Sequence, residues 1–154
     1  MNEMTREEWV SVLTSLPEER LTELVKGFPA DWKVQPITLP QVGLGMMKMK
    51  ESAFNESFYL GEFPLASCAV TVTTESGVSA EGGALVMDDR MERAEQLALC
   101  DAVLAGRLPG WQKVEALLHE GSARREQISL ERKAMLARTK VDFSLLEDVG
   151  GEDA

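Results

Sequence analysis

Along the chain, the apolar positions change period twice. Near the N-terminus Thr5 stands three residues ahead of Glu8, the spacing of a capping box, and Trp9, Val10 and Leu13 then share one helical face. The next stretch repeats the device. Ser15 and Glu18 are spaced as a cap, Pro17 suits a first turn, and Leu21, Leu24, Val25 and Phe28 follow the helical i, i+3, i+4, i+7 rhythm until Gly27 and Pro29 end it. The period then falls to two. The stretches 32–39 and 42–50 predict two short strands joined by Pro40 and Gln41. A long β-rich run follows from Ser57, with Pro64 marking an edge, a bulge or a break. In it Cys68, Val70 and Val72 point one way, and Ala69, Thr71 and Thr73 the other. A turn at 75–77 sends the chain back through a fourth strand at 78–87.

Helical spacing returns after that strand. Asp89 and Glu92 are placed to cap a helix over about 90–105, a short helix ends at Gly121, and a long polar helix follows with a thin stripe of Leu130, Ala134, Ala137 and Val141. The predicted architecture is α+β: a mostly antiparallel four-stranded sheet flanked by N-terminal and C-terminal helices. One domain is expected over 1–154, with about 144–154 a partner-docking or flexible acidic tail.

Charge narrows the partners. The 154 residues carry a net charge of −10, which disfavours DNA or RNA as a ligand. No apolar run is long enough to cross a bilayer. The first residues hold acids and no apolar core, so no secretory signal is expected. Cys68 and Cys100 then read as free thiols in a reducing cytoplasm. One segment reverses the sign of the chain: Arg124, Arg125, Arg132, Lys133, Arg138 and Lys140 face only Glu126 and Glu131. Such a helix is either a solvated face or a contact for an acidic partner or a phosphate.

Candidate chemistry is sparse. His119 is the sole histidine, so no His-containing cluster with metal spacing exists. Its place beside Gly121 suggests a helix end, where it would meet exposed carbonyls. Gly43 and Gly45 lack the rest of a dinucleotide loop, and Gly82 and Gly83 lack the Lys and Ser/Thr of a phosphate loop; both pairs read as bulges or close backbone contacts. Cys100 and Asp101 are adjacent in sequence. On a helix their side chains diverge by about a quarter-turn, whereas a catalytic pair must converge. Cys100 is therefore read as a small hydrophobe. Asp101 falls on the packed face with Ala94, Leu97, Ala98, Leu104 and Ala105, and needs a partner there. That partner is a backbone N–H, an arginine or another subunit, and Asp101 is read as a structural polar anchor.

The ordered set of motifs resembles the PhnG family, the small subunit of the bacterial carbon–phosphorus lyase core complex. The likeness begins with Thr5, Arg6 and Trp9 and continues through the Gly61-Glu62 step into the long strand. It includes Ala94, Glu95, Ala98 and Asp101, and closes on Thr139 to Phe143. Gly82 and Gly83 stand where the family carries aromatics. The resemblance implies assembly with PhnH-, PhnI- and PhnJ-like subunits. It also implies a supporting role while adenine of ATP is displaced by an alkylphosphonate, giving ribose 1-alkylphosphonate 5-triphosphate. It implies no catalytic residue in this chain and no cofactor bound by it. MgATP is used by the complex, and an iron–sulfur cluster with S-adenosylmethionine serves a partner subunit. Trp9, Arg138, Val141, Asp142 and Phe143 are the interface candidates. The last three are expected to order on a PhnI-like partner, or to fold back on the chain's own sheet. A stand-alone small-ligand-binding domain and a hydrolase using Asp101 or His119 are the alternatives.

Overall fold

In the computed structural model, which describes residues 4–139, the elements run α1 (Arg6–Leu13), α2 (Glu18–Lys26), β1 (Lys33–Lys50), β2 (Ser57–Thr73), β3 (Ser79–Val86), α3 (Met91–Ala105) and α4 (Trp111–Arg138). The class is α+β, with the three strands antiparallel in the order β1-β2-β3. The expected fourth strand is absent from the described residues because β1 does not stop at Pro40. It continues for 18 residues, with irregularities between Pro36 and Thr38 and between Thr38 and Gln41 absorbing the extra residues. An edge strand tolerates this, since a proline there need not donate to a neighbour.

The core lies between the sheet and the helices. Ala66, Cys68, Val70 and Val72 form the buried row of β2, as their alternation requires. Against them lies α3, whose Ala94, Leu97, Ala98, Cys100, Ala102 and Val103 are completely buried. Helices α1, α2 and α4 pack onto α3 from other sides. The approach of α3 to the sheet is close enough to dictate a residue. A Cβ on Gly82 would lie 2.2 Å from both the Ala98 carbonyl oxygen and the Ala102 nitrogen.

Two helical expectations need correcting. Gly121 ends nothing: α4 is one 28-residue helix, so two C-terminal helices replace the expected three. A Cβ at Gly121 would come within 2.7 Å of the Val12 carbonyl oxygen, so the glycine permits the α1–α4 crossing rather than closing a helix. Caps also differ. Thr5 does precede α1, with its N–H donating to Glu8 Oε2 at 3.0 Å. Ser15, however, does not cap α2, which begins after Pro17. The Ser15 hydroxyl instead donates to the carbonyls of Val12 (2.6 Å) and Gly121 (3.0 Å). At α3 the expected Asp89 cap is not formed: Arg90 is the N-cap residue with no side-chain cap, and Asp88 Oδ1 accepts from the Arg90 N–H at 3.0 Å just ahead of the helix.

β3 pairs only with Ala66–Thr73 of β2. Beyond it, Gly43–Lys50 and Ser57–Leu65 continue as a two-stranded ribbon. Pro64 lies in this part of β2, where β1 is the only neighbouring strand among the described residues.

Candidate functional site

Asp101 lies on the face of α3 turned toward β3 and α1, and only 5% of its surface is exposed. Arg6 reaches it from the first turn of α1. The guanidinium donates through Nε to Oδ1 at 3.1 Å and through Nη2 to Oδ2 at 2.8 Å. The Gly83 N–H donates to Oδ2 at 2.9 Å, and Arg6 Nη2 also donates to the Glu81 carbonyl at 2.9 Å. One carboxylate thus joins α1, β3 and α3. Two of the three partner types named from the sequence, an arginine and a backbone N–H, are present together. Its hydrogen bond to Asp101 holds the Arg6 pKa above the ordinary arginine value.

The neighbouring thiol is no nucleophile. Cys100 is completely buried, and burial, reinforced by the Asp101 charge, pushes its pKa up to about 12. At neutral pH it stays protonated. Burial likewise raises Cys68, with a smaller contribution from Glu95. Two buried thiols on separate elements cannot hold an iron–sulfur cluster, which takes about four thiolates. Among the described residues, no group of three or more His, Cys, Asp or Glu side chains could hold a metal ion.

Trp9 and His119 meet at a different place. Both line an open cleft of about 770 Å³ between α1, the end of α3 and α4, together with Arg107, Trp111 and Glu115. Arg107 adopts a left-handed backbone (φ 46°), and its guanidinium lies 5.3 Å from the Trp111 ring centroid, a cation–π contact. His119 is exposed in the interior of α4, so it meets no helix-end carbonyls. The cleft was not legible in the sequence, because its residues come from three elements and share no spacing.

Arg138 is the exposed last residue of α4, and Val141, Asp142 and Phe143 lie outside the described residues. Of the thin stripe read from the sequence, Leu130 is 59% exposed, Ala134 and Ala137 are exposed, and Val141 lies outside the described residues. Sequence reasoning also missed the ribbon. Val42, Leu44 and Met46 pair with Ala66, Pro64 and Glu62, which places them on the face that carries the core. That face is covered by α3 only in the body of the sheet, and out on the ribbon Leu44 is 71% exposed. Tyr59 and Leu60 are also exposed. The alternation of Met47 to Lys50 signals a strand, but not that its cover would end.

Asp88 anchors a second, surface cluster. Its carboxylate accepts from Arg90 Nε and Nη2, both at 2.9 Å, and Arg90 also pairs with Glu18 of α2. The Arg90 hydrogen bond holds Asp88 down at about 2.

The described residues offer buried anchoring, a cleft and bare apolar side chains. Among the described residues, no helix is long and apolar enough to cross a membrane. No curated protein matches the chain. The family model described as phosphonate metabolism protein PhnG matches residues 4–147, from the turn before α1 to beyond the end of α4, and the chain therefore belongs to the PhnG family.

Proposed function

We propose that the chain is a non-catalytic, accessory subunit of the phosphonate carbon–phosphorus lyase core complex. In this reading it assembles with PhnH-, PhnI- and PhnJ-like subunits in the cytoplasm. It supports ATP-dependent formation of ribose 1-alkylphosphonate 5-triphosphate by the complex. MgATP is consumed there by a partner, and the iron–sulfur cluster and S-adenosylmethionine belong to another. The observation that carries the reading is the ribbon. Leu44, Met46, Tyr59 and Leu60 hold large apolar surfaces in water, each more than half exposed. Large apolar side chains left bare along one ribbon mark a protein contact. Family membership supplies the pathway in which that contact would be made.

Co-expression with the three partner-type subunits tests this. Stoichiometric co-purification is expected, and substitution of Leu44 and Met46 by lysine should remove it while leaving the chain folded. Wild-type chain that passes through purification alone, with all three partners present, contradicts the reading.

The cleft favours a second reading, a stand-alone ligand-binding domain. Its volume of about 770 Å³ and its two tryptophans suit a small molecule. That reading expects a monomer indifferent to the partner subunits, so the same co-expression separates the two.

A further inference from the structure

Helix α4 carries one seam with two fates. At 100° per residue, Val114, Leu117, Leu118 and Gly121 occupy the face that packs against the body, and all four are buried. The same angular position past Gly121 brings Arg125, Ile128, Arg132, Met135 and Leu136 in succession. Among the described residues nothing covers this continuation. From Ser122 to Thr139 every residue is exposed except the half-buried Ile128, and Leu136 is 69% exposed.

A solvated helix usually holds its charges in i, i+4 pairs. Here the five cations between Ser122 and Arg138 stand against Glu126 and Glu131, a net charge of +3, leaving −13 for the rest of the chain's −10. Among the described residues none of those five makes an ion pair; the one hydrogen bond between side chains there joins Gln127 to Glu131 at 3.0 Å. Within the described residues nothing neutralises these cations, which leaves them to meet charges from elsewhere. Two of them, Arg125 and Arg132, lie within the apolar seam itself.

We propose that the distal half of α4 is a docking helix for a groove on a different protein, one with an apolar floor and carboxylates on its rim. Ile128, Met135 and Leu136 take the floor. Arg125 and Arg132 take carboxylates about 10 Å apart, since seven residues rise about 1.5 Å each. A symmetric pairing of two copies through this helix would set cation against cation, which selects a different chain. A nucleic acid is repelled by the acidic remainder. The inference rests on the assembly reading above.

Hydrogen–deuterium exchange tests it, on the full chain alone and co-purified with the PhnH-, PhnI- and PhnJ-like subunits. Amides of 122–138 should exchange at least about tenfold more slowly in the complex. Arg125→Glu with Arg132→Glu should leave the circular dichroism of the isolated chain unchanged and reduce co-purification at least about tenfold. A complex that forms while 122–138 exchange as fast as in the isolated chain overturns this inference and leaves the assembly reading standing. No complex at all overturns both. Protection of 122–138 in the isolated chain, rising with concentration as a dimer forms, assigns the seam to a second copy and overturns the choice of partner.

Discussion

The pair Arg6–Asp101 has unequal members: the carboxylate is buried and the guanidinium is 54% exposed. Removing the buried member leaves the Gly83 N–H without its acceptor and Arg6 with the Glu81 carbonyl alone. Asp101→Ala should therefore destabilise the chain by about 2–3 kcal/mol, read by denaturant unfolding. Arg6→Ala leaves a buried carboxylate with one donor and should cost a similar amount. Cys100→Ala removes only a buried sulfur, about 1 kcal/mol, and should leave the activity of an assembled complex intact. Loss of that activity with assembly preserved would make the thiol functional. Asp88 gives a pH dependence. Its folded value, about 2, lies below the ordinary 3.8, so the stability it contributes is present above 3.8 and is lost as pH falls toward 2. Thermal unfolding across that window should show the loss, and Asp88→Asn should flatten it. The need for a partner at Asp101 was legible from helical spacing alone. Arg6 was not, because 95 residues separate it from Asp101 and pairing at that range leaves no periodic trace.

At the scale of elements, glycines deceive where they serve packing. Gly121 looks like a helix end from sequence, and Pro40 like a strand end, yet α4 and β1 run through both. The reason is tertiary in each case: α1 crosses α4 at Gly121, and β1 is an edge strand. Gly121→Ala checks the first. The new Cβ meets a backbone oxygen rather than a movable side chain, so the α1–α4 crossing must shift, at a cost of about 1–3 kcal/mol. Unchanged stability would show that the crossing is loose. Local alternation did reveal the buried row of β2, the turn at 75–77 and the run of β3. It could not reveal where α3 stops covering the sheet, which depends on the length of a helix laid across it. The bare ribbon and the bare half of α4 both follow from partial cover, and neither has a signature in residue periodicity.

The molecule as a whole joins a well-anchored core to two extensions that find no cover within the described residues. The exposed Leu44 and Met46 of the ribbon and the exposed Met135 and Leu136 of α4 are what the proposed assembly would cover. Family and fold class were both legible from sequence, the first through ordered motifs and the second through changes of period. The tail segment with Val141, Asp142 and Phe143 belongs to this scale. If it is an assembly element, truncation after Arg138 should yield a folded chain that no longer co-purifies with its partners. If it folds back on the sheet, the truncated chain should be destabilised or insoluble. A truncated chain that folds and still assembles removes both roles. In the proposed role this chain contributes assembly rather than chemistry. Turnover of ATP with methylphosphonate by the purified chain, alone and combined with the PhnH-, PhnI- and PhnJ-like subunits, tests that role. The chain alone should show no turnover, and activity should be restored only when it joins the other subunits. Robust turnover by the single chain, abolished by His119→Ala, would contradict it.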